Sequence, residues 1–147
     1  MADREAPVLP SADVLAPFHE GLSRGEVRVT RCTACGLAQF PPRAVCPRCS
    51  GVGTGRWETT AGRGNVWSFA VFHKAYLAGS TRRPPYDVAV VQLDEGPKLF
   101  TNVIGVDNAD LHVGMAVEAV FEVEDGTALV RFRPVATTAT GSLETGR

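Results

Sequence analysis

The chain has 147 residues, of which 44% are hydrophobic, so it can bury a core of moderate size and need not be disordered. No apolar run reaches the roughly 18 residues that a membrane-spanning helix needs, and residues 1–5 carry acids, unlike a secretory signal. We therefore expect a cytoplasmic protein with no membrane role. In a reducing cytoplasm, its four cysteines are expected to bind metal rather than to pair as disulfides.

The net charge of −1 conceals two halves of opposite sign. Residues 24–83 hold ten lysines and arginines against two acids, whereas residues 84–133 hold three against nine. The basic half can attract phosphates, a nucleic acid or an acidic protein surface. Segregated surface charge without any such role explains the same numbers, so the charge pattern alone does not select a function.

Residues 1–25 predict a helical leader. Leu15, Phe18 and Leu22 recur at helical spacing. Because Pro17 cannot lie deep inside a helix, we expect one or two short helices that begin or break near it. Their apolar face is expected to dock on this chain or on a partner.

The cysteine spacing within residues 26–60 predicts a zinc ribbon. Two Cys-x-x-Cys pairs are separated by ten residues, and their members are Cys32, Cys35, Cys46 and Cys49. Four thiolates make a closed tetrahedral shell with no open position for water or substrate, which indicates a structural ion. Few apolar residues surround the pairs, so we expect the ion to supply most of the folding free energy, on the order of 10 kcal/mol.

Two other uses of the cysteines stay open at this point. A redox-active site would need only one Cys-x-x-Cys pair in a βαβ context, and the sequence predicts no such context. Four thiolates can also bind iron. For either metal, Gly36 and Gly51, which follow the two pairs, are expected to allow the positive φ that such tight turns require.

Residues 61–135 predict five strands, which makes the chain mainly β. Alternation places Trp67, Phe69 and Val71 on one face of the first of these strands, as core residues. Five strands at this spacing favour a small barrel of the oligonucleotide/oligosaccharide-binding (OB) type. The polar residues 136–147 have nothing to bury and are predicted to form a disordered tail.

Several short motifs, taken in order, make the chain similar to a known family. It resembles the bacterial and archaeal "domain of unknown function 35" (DUF35) proteins, in which a rubredoxin-like zinc ribbon precedes an OB-type barrel. The resemblance spans about residues 17–134. The motifs that carry it are residues 17–22 (PFHEGL), 31–36 (RCTACG), 39–43 (QFPPR), 46–49 (CPRC), 62–64 (GRG), 90–96 (VVQLDEG) and 113–117 (VGMAV).

The resemblance implies a role in acyl-coenzyme A (CoA) metabolism. Family members are similar to small non-catalytic partners of thiolase-fold enzymes, among them thiolases, hydroxymethylglutaryl-CoA synthase-type enzymes and aldolases of steroid side-chain breakdown. Such a subunit would complete or shield the CoA site and stabilise the larger chain, with two large and two small chains expected. A thiolase or thiolase-like aldolase complex is our first expectation.

The residues themselves agree with an accessory role. A thiolase needs a nucleophilic cysteine and a histidine base, and here all four cysteines are assigned to the metal. We therefore expect no catalytic activity from the chain alone. One loop of the barrel is expected to contact the partner or its CoA, because it offers cations and aromatic rings. Its candidate residues are His73, Lys74, Tyr76, Arg82, Arg83 and Tyr86. An ordinary solvated loop explains the same composition.

Two further functions compete with this one. A zinc ribbon followed by an OB barrel also suggests a single-stranded nucleic-acid binder, in which bases would stack on exposed aromatic rings. The residues available for that role are Arg63, Trp67, Phe69, Phe72 and Tyr76. The sequence lacks the basic excess that such binders need, which makes nucleic acid the weaker hypothesis. A protein-interaction module with no ligand of its own shares every feature of the accessory subunit except contact with CoA.

Overall fold

The computed structural model describes residues 12–76, 78–79 and 82–136. Within these ranges the chain is mainly β, with one short α-helix, a cysteine-bearing ribbon and a five-stranded barrel, as the sequence predicts. None of the helices in this part of the chain has the length and apolar character to cross a membrane. Residues 1–11 of the predicted leader and residues 137–147 of the predicted tail lie outside the described residues.

The described chain begins with a 3₁₀ turn over Ala12–Leu15, and helix α1 (Ala16–Ser23) follows it. Pro17 lies in the first turn of α1. Backbone N–H groups in the first turn of a helix have no hydrogen-bond acceptor within the helix, so a proline there removes no hydrogen bond. The prediction of a helix start near Pro17 is therefore confirmed. Phe18 and Leu22 lie one turn apart and are buried, so the helix is held by one apolar stripe.

Three antiparallel strands form the ribbon, and the first of them lies in the centre. They are β1 (Arg28–Cys32), β2 (Ala38–Gln39) and β3 (Gly55–Thr59), in the order β2-β1-β3. Glu58 on β3 accepts a bidentate hydrogen bond from Arg31 on β1, with a shortest N–O distance of 2.7 Å. The first Cys-x-x-Cys turn lies at one end of this sheet, because β1 ends at Cys32. The second turn lies at the same end, because its two sulfurs are close to those of the first.

The barrel strands are β4 (Arg63–Phe72), β5 (Tyr86–Leu93), β6 (Lys98–Thr101), β7 (Ala116–Glu124) and β8 (Thr127–Pro134). They form one antiparallel sheet in the order β6-β5-β4-β7-β8. Parallel pairing of Val103 with Phe132 closes the sheet, with hydrogen bonds from the Phe132 N–H to the Asn102 carbonyl and from the Ile104 N–H to the Phe132 carbonyl. This strand order, with the barrel closed between the chain that follows β6 and strand β8, is the topology of an OB barrel.

A single apolar core joins the ribbon to the barrel. Phe18 and Leu22 of α1 and Val27 and Val29 of the ribbon belong to the same buried cluster as the barrel residue Phe132. The phenyl ring of Phe132 is fully buried at the centre of the closure. The modules are therefore packed as one body rather than linked as two independent units.

The prediction that Trp67 is a core residue is wrong. A β-bulge between Val66 and Ser68 inserts Trp67 as an extra residue opposite β5. Val66 is buried and Phe69 packs against the core, but the Trp67 side chain is 53% exposed. A bulge reverses which residues of a strand face inward, so simple alternation across it fails. The Nζ atom of Lys98 lies 4.3 Å from the centre of the exposed indole ring.

Candidate metal centre and surface cleft

The four cysteine sulfurs converge on one point. The Sγ atoms of Cys32, Cys35, Cys46 and Cys49 all lie within 4.8 Å of one another. Two of the sulfur–sulfur distances, Cys32–Cys49 and Cys35–Cys46, are 3.6 Å, so none of these pairs is a disulfide. Zn–S bonds of about 2.3 Å would place tetrahedral sulfurs about 3.8 Å apart, which fits this arrangement.

Both Cys-x-x-Cys turns are built in the same way. The N–H of Gly36 donates to the Cys32 carbonyl at 2.8 Å, and the N–H of Ser50 donates to the Cys46 carbonyl at 2.9 Å. Gly36 has φ 79°, as predicted, but in the second turn the positive φ of 61° belongs to Ser50 and not to Gly51. A residue with a Cβ atom is strained at such a φ. The surrounding fold therefore holds the Ser50 backbone in an unfavourable conformation.

The surroundings of the sulfurs make their pKa values unequal. The hydroxyl of Thr54 lies 3.0 Å from Cys32 Sγ, and this contact is the largest of those that lower the pKa of Cys32 to about 6. At Cys49, the Gly51 backbone lowers the pKa, but the neighbouring cysteine sulfurs and burial outweigh it and raise the pKa to about 11. Four thiolates this close repel one another, and a divalent cation removes that repulsion. This donor set therefore suits Zn²⁺.

A surface cleft of about 640 Å³ lies on the barrel, far along the chain from the cysteines. Its walls come from the β4–β5 loop, the outer face of β5 and β6, and the β7–β8 hairpin. These are the face and the two loops with which OB barrels bind ligands. The volume lies within the ~300–1,000 Å³ typical of small-molecule sites.

Three of the six predicted loop residues line this cleft, namely Tyr76, Arg82 and Tyr86. The other three do not: His73 and Lys74 are exposed in the turn that follows β4, and Arg83 lines a separate, smaller depression together with Arg82. Arg82 is thus shared between two concave surfaces.

Aromatic rings dominate one wall of the cleft. The rings of Phe72 and Tyr86 are stacked, with centroids 5.5 Å apart and planes 13° apart. Tyr76 meets the edge of Phe72 at 5.6 Å, and its own side chain is 68% exposed. The exposed ring of Tyr76 and the partly exposed rings of Phe72 and Tyr86 can stack on an aromatic base.

Two cleft residues, Phe100 and Arg131, were missed by the sequence analysis. Phe100 is 82% exposed on β6, and the Arg131 guanidinium lies 3.3 Å from Glu124 and 3.5 Å from Glu122. The alternating pattern of β6, in which Leu99 is buried between exposed neighbours, is a signal that could have placed Phe100 outside. Nothing in the sequence near Arg131 shows that it lines the same cleft as the β4–β5 loop.

Comparison with protein-family models gives two adjacent matches. Residues 19–54 match the "ChsH2, rubredoxin-like zinc ribbon domain", and residues 57–122 match the "ChsH2, C-terminal OB-fold domain". A DUF35 domain-containing scaffold protein of Methanocaldococcus jannaschii is 32% identical over 112 residues, which cover 71% of this chain and 79% of that relative. The chain belongs to the DUF35 family. All four cysteines lie in the part matched by the zinc-ribbon model, so the metal of this DUF35 chain is zinc, not iron.

Other relatives of this DUF35 chain are parts of larger enzymes. A chain called benzoylsuccinyl-CoA thiolase subunit BbsA, from Thauera aromatica, is 27% identical over 127 residues, which cover 83% of this chain and 78% of the relative. Among solved structures, a chain of the "Ltp2-ChsH2(DUF35) aldolase" superposes with a TM-score of 0.74 at 30% identity, covering 88% of this chain and 98% of that one.

Proposed function

We propose that this DUF35 chain is a non-catalytic accessory subunit of a thiolase-fold enzyme that acts on acyl-CoA. A single observation carries the proposal: nearly the whole of a chain from an aldolase, 98% of it, superposes on 88% of this one. The likeness to a named thiolase subunit points the same way. In this role the chain helps to form or shield the CoA site and stabilises the larger subunit, in an assembly of two large and two small chains.

The chemistry available on the chain supports a role without catalysis. The four cysteines share one metal site, so none serves as the nucleophile of a thiolase. His73 is exposed and does not line the cleft, and His112 Nδ1 lies 2.9 Å from the Asp110 carbonyl. Neither histidine faces a nucleophile among the described residues. The partner subunit supplies the reacting groups.

The cleft is where this chain contacts CoA. The stacked rings of Phe72 and Tyr86 offer a surface for the adenine, and Arg82 offers a guanidinium for a phosphate. The β4–β5 loop also carries His73, Lys74 and Arg83, which do not line the cleft. These three side chains contact the larger subunit or the CoA phosphates when the two chains assemble.

The single-stranded nucleic-acid alternative has less support. Glu124 and Asp125 line the cleft together with Arg82 and Arg131, so the cleft is not the uniformly basic groove that tracks a nucleic-acid backbone. The two similar enzyme components reported above also favour the accessory role, because one belongs to a thiolase and the other to an aldolase.

The test is a co-expressed complex of this chain with its thiolase-fold partner. The double variant Arg82→Ser/Arg83→Ser should leave the complex assembled and weaken CoA-ester binding about tenfold, as expected for one lost charged hydrogen bond. The matched control is Arg43→Ser/Arg48→Ser, which removes two exposed ribbon arginines. Unchanged CoA-ester affinity in the first variant would remove the cleft assignment, and turnover of a CoA ester by the isolated chain would refute the accessory role.

A further inference from the structure

The barrel wall opens between its two end strands, β6 and β8. Both lie at an edge of the sheet, and the parallel pairing of Val103 with Phe132 joins the chain after β6 to β8. Two residues earlier on each side, the Thr101 hydroxyl donates to the Val130 carbonyl at 3.1 Å, so a side chain spans the gap there in place of a backbone hydrogen bond. The two strands therefore diverge as they leave the closure.

A groove of about 470 Å³ lies where the strands have diverged. Residues 98–100 of β6 and residues 127–131 of β8 line its two sides. Phe18 and Leu22 of α1, both buried, add apolar surface to it. We call this groove the β6–β8 slot.

Backbone groups of β8 face into the slot. Phe132 directs its N–H and its C=O towards the chain after β6, where both are hydrogen-bonded. Because successive residues of a strand direct these groups to opposite sides, Val130 and Ala128 direct theirs towards β6 as well. In the described chain, no backbone pairing joins Ala128 or Val130 to β6.

The facing edge of β6 is free in the same way. The Asn102 carbonyl accepts from the Phe132 N–H on the β8 side. The Pro97 carbonyl accepts from the Leu93 N–H on the β5 side. By the same alternation, Phe100 directs its N–H and C=O into the slot. An unpaired strand edge is a template for another strand, and the slot has such an edge on each side.

The charges of the slot define what fits it. Glu122 and Glu124 neutralise Arg131, which leaves Lys98 as the unneutralised cation among the described lining residues at neutral pH. None of the described lining residues is acidic. An extended segment with apolar side chains and one carboxylate is therefore complementary to the slot.

We infer that the β6–β8 slot receives an extended apolar segment of the larger subunit, which adds as a strand between β6 and β8 and presents a carboxylate to Lys98. This inference rests on the proposed function and adds to it the surface on which the two chains join. Main-chain hydrogen bonds to Phe100 and Ala128 supply affinity, and the apolar surface of Phe18 and Leu22 selects the side chains.

The experiment is amide hydrogen exchange, read residue by residue, on the zinc-loaded full chain alone and in the co-expressed complex with its thiolase-fold partner. On assembly, exchange at the Phe100, Ala128 and Val130 amides should slow by about 100-fold, because a paired amide exchanges only when its strand opens. The amides of Leu129 and Arg131 face β7 in both states, so they are the internal control.

A proline substitution tests the same hydrogen bonds. Ala128→Pro removes one N–H that faces the slot and leaves the hydrogen bonds to β7 in place. It should weaken association with the larger subunit about tenfold, measured by isothermal titration. The matched control is Thr59→Pro at the free edge of β3, where the N–H points away from β1 because that of Thr60 donates to Val27. This control should associate like the unmodified chain.

The outcomes separate this inference from the proposed function. If the complex forms but the Phe100 and Ala128 amides exchange as fast as in the free chain, the slot is overturned and the accessory role stands. Failure of the two chains to associate would overturn both. Slow exchange at these amides in the free chain would overturn the inference, and its loss on dilution would identify a second copy of the chain as the occupant.

Discussion

Replacing Gly64 by alanine tests the packing of the barrel at its tightest point. Gly64 lies on β4 opposite Leu93 of β5, and a Cβ atom there would lie 2.1 Å from the Gln92 carbonyl oxygen. It would also lie 2.8 Å from the Gln92 carbonyl carbon, so the obstruction is backbone and not a movable side chain. Side-chain rotation cannot relieve it, and β4 must move away from β5.

The cost follows from that movement. Real Cβ contacts are essentially never under 3.0 Å, so the two strands must separate locally by about 1 Å from their usual spacing of about 4.8 Å. Overpacking of this kind, with weakened hydrogen bonds beside it, costs about 3 kcal/mol. In a chain of this size, that lowers the melting temperature by about 10 °C.

The assay is urea and thermal unfolding, followed by circular dichroism. The matched control is Gly55→Ala on β3, where the new Cβ would lie 3.6 Å from Thr30 Cβ, an ordinary contact. Alanine at that strand position should be neutral or stabilising by up to about 1 kcal/mol. If Gly64→Ala and Gly55→Ala had equal stability, the argument from strand contact would be refuted.

Three further predictions concern the metal and the buried polar groups. Cys49→Ser should prevent retention of one zinc per chain, measured by metal analysis, and should unfold the ribbon. Ser50→Gly should stabilise the zinc-loaded protein by about 0.5–1 kcal/mol in urea unfolding, because glycine adopts the φ of 61° without strain. Asp87→Ala should destabilise the barrel by about 2–3 kcal/mol, because it removes the carboxylate that accepts the buried Val103 N–H at 2.7 Å.

Each of these has a contradicting result. Full zinc content in Cys49→Ser would show that three sulfurs suffice. A less stable Ser50→Gly protein would show that the serine side chain contributes more than its backbone strain costs. Asp87→Asn keeps an acceptor for the Val103 N–H, so it should lose less stability than Asp87→Ala; an equal loss would assign the effect to something other than this hydrogen bond.

The metal site was predictable because its determinants are local. Two residues between paired cysteines fix each turn, and the thiolate chemistry requires the pairs to meet. What spacing could not decide was the residue that takes the left-handed backbone in the second turn. Glycine propensity favoured Gly51, but the hydrogen bond from Ser50 to Cys46 places the strained conformation one residue earlier.

The barrel was predictable in its strand count and less so in its faces. Apolar alternation marks where strands occur, yet one extra residue at Trp67 reverses the alternation and puts an indole outside. The cleft was only half predictable for a related reason. Tyr76 lies in the β4–β5 loop and Tyr86 begins β5 at the end of that loop, but Phe100 and Arg131 reach the cleft from strands that only the closed topology brings near.

The shared core of ribbon and barrel gives the metal an influence beyond its own ligands. Val27 and Val29, held in place by the ribbon, belong to the same cluster as Val103 and Phe132, which close the barrel. Chelation should therefore loosen the distant end of the molecule as well. Suppose that zinc increases the affinity of the chain for a molecule that binds only the intact barrel. By thermodynamic reciprocity, that molecule then increases the affinity of the chain for zinc by the same factor. Assembly and metal retention would then protect each other when either component is scarce.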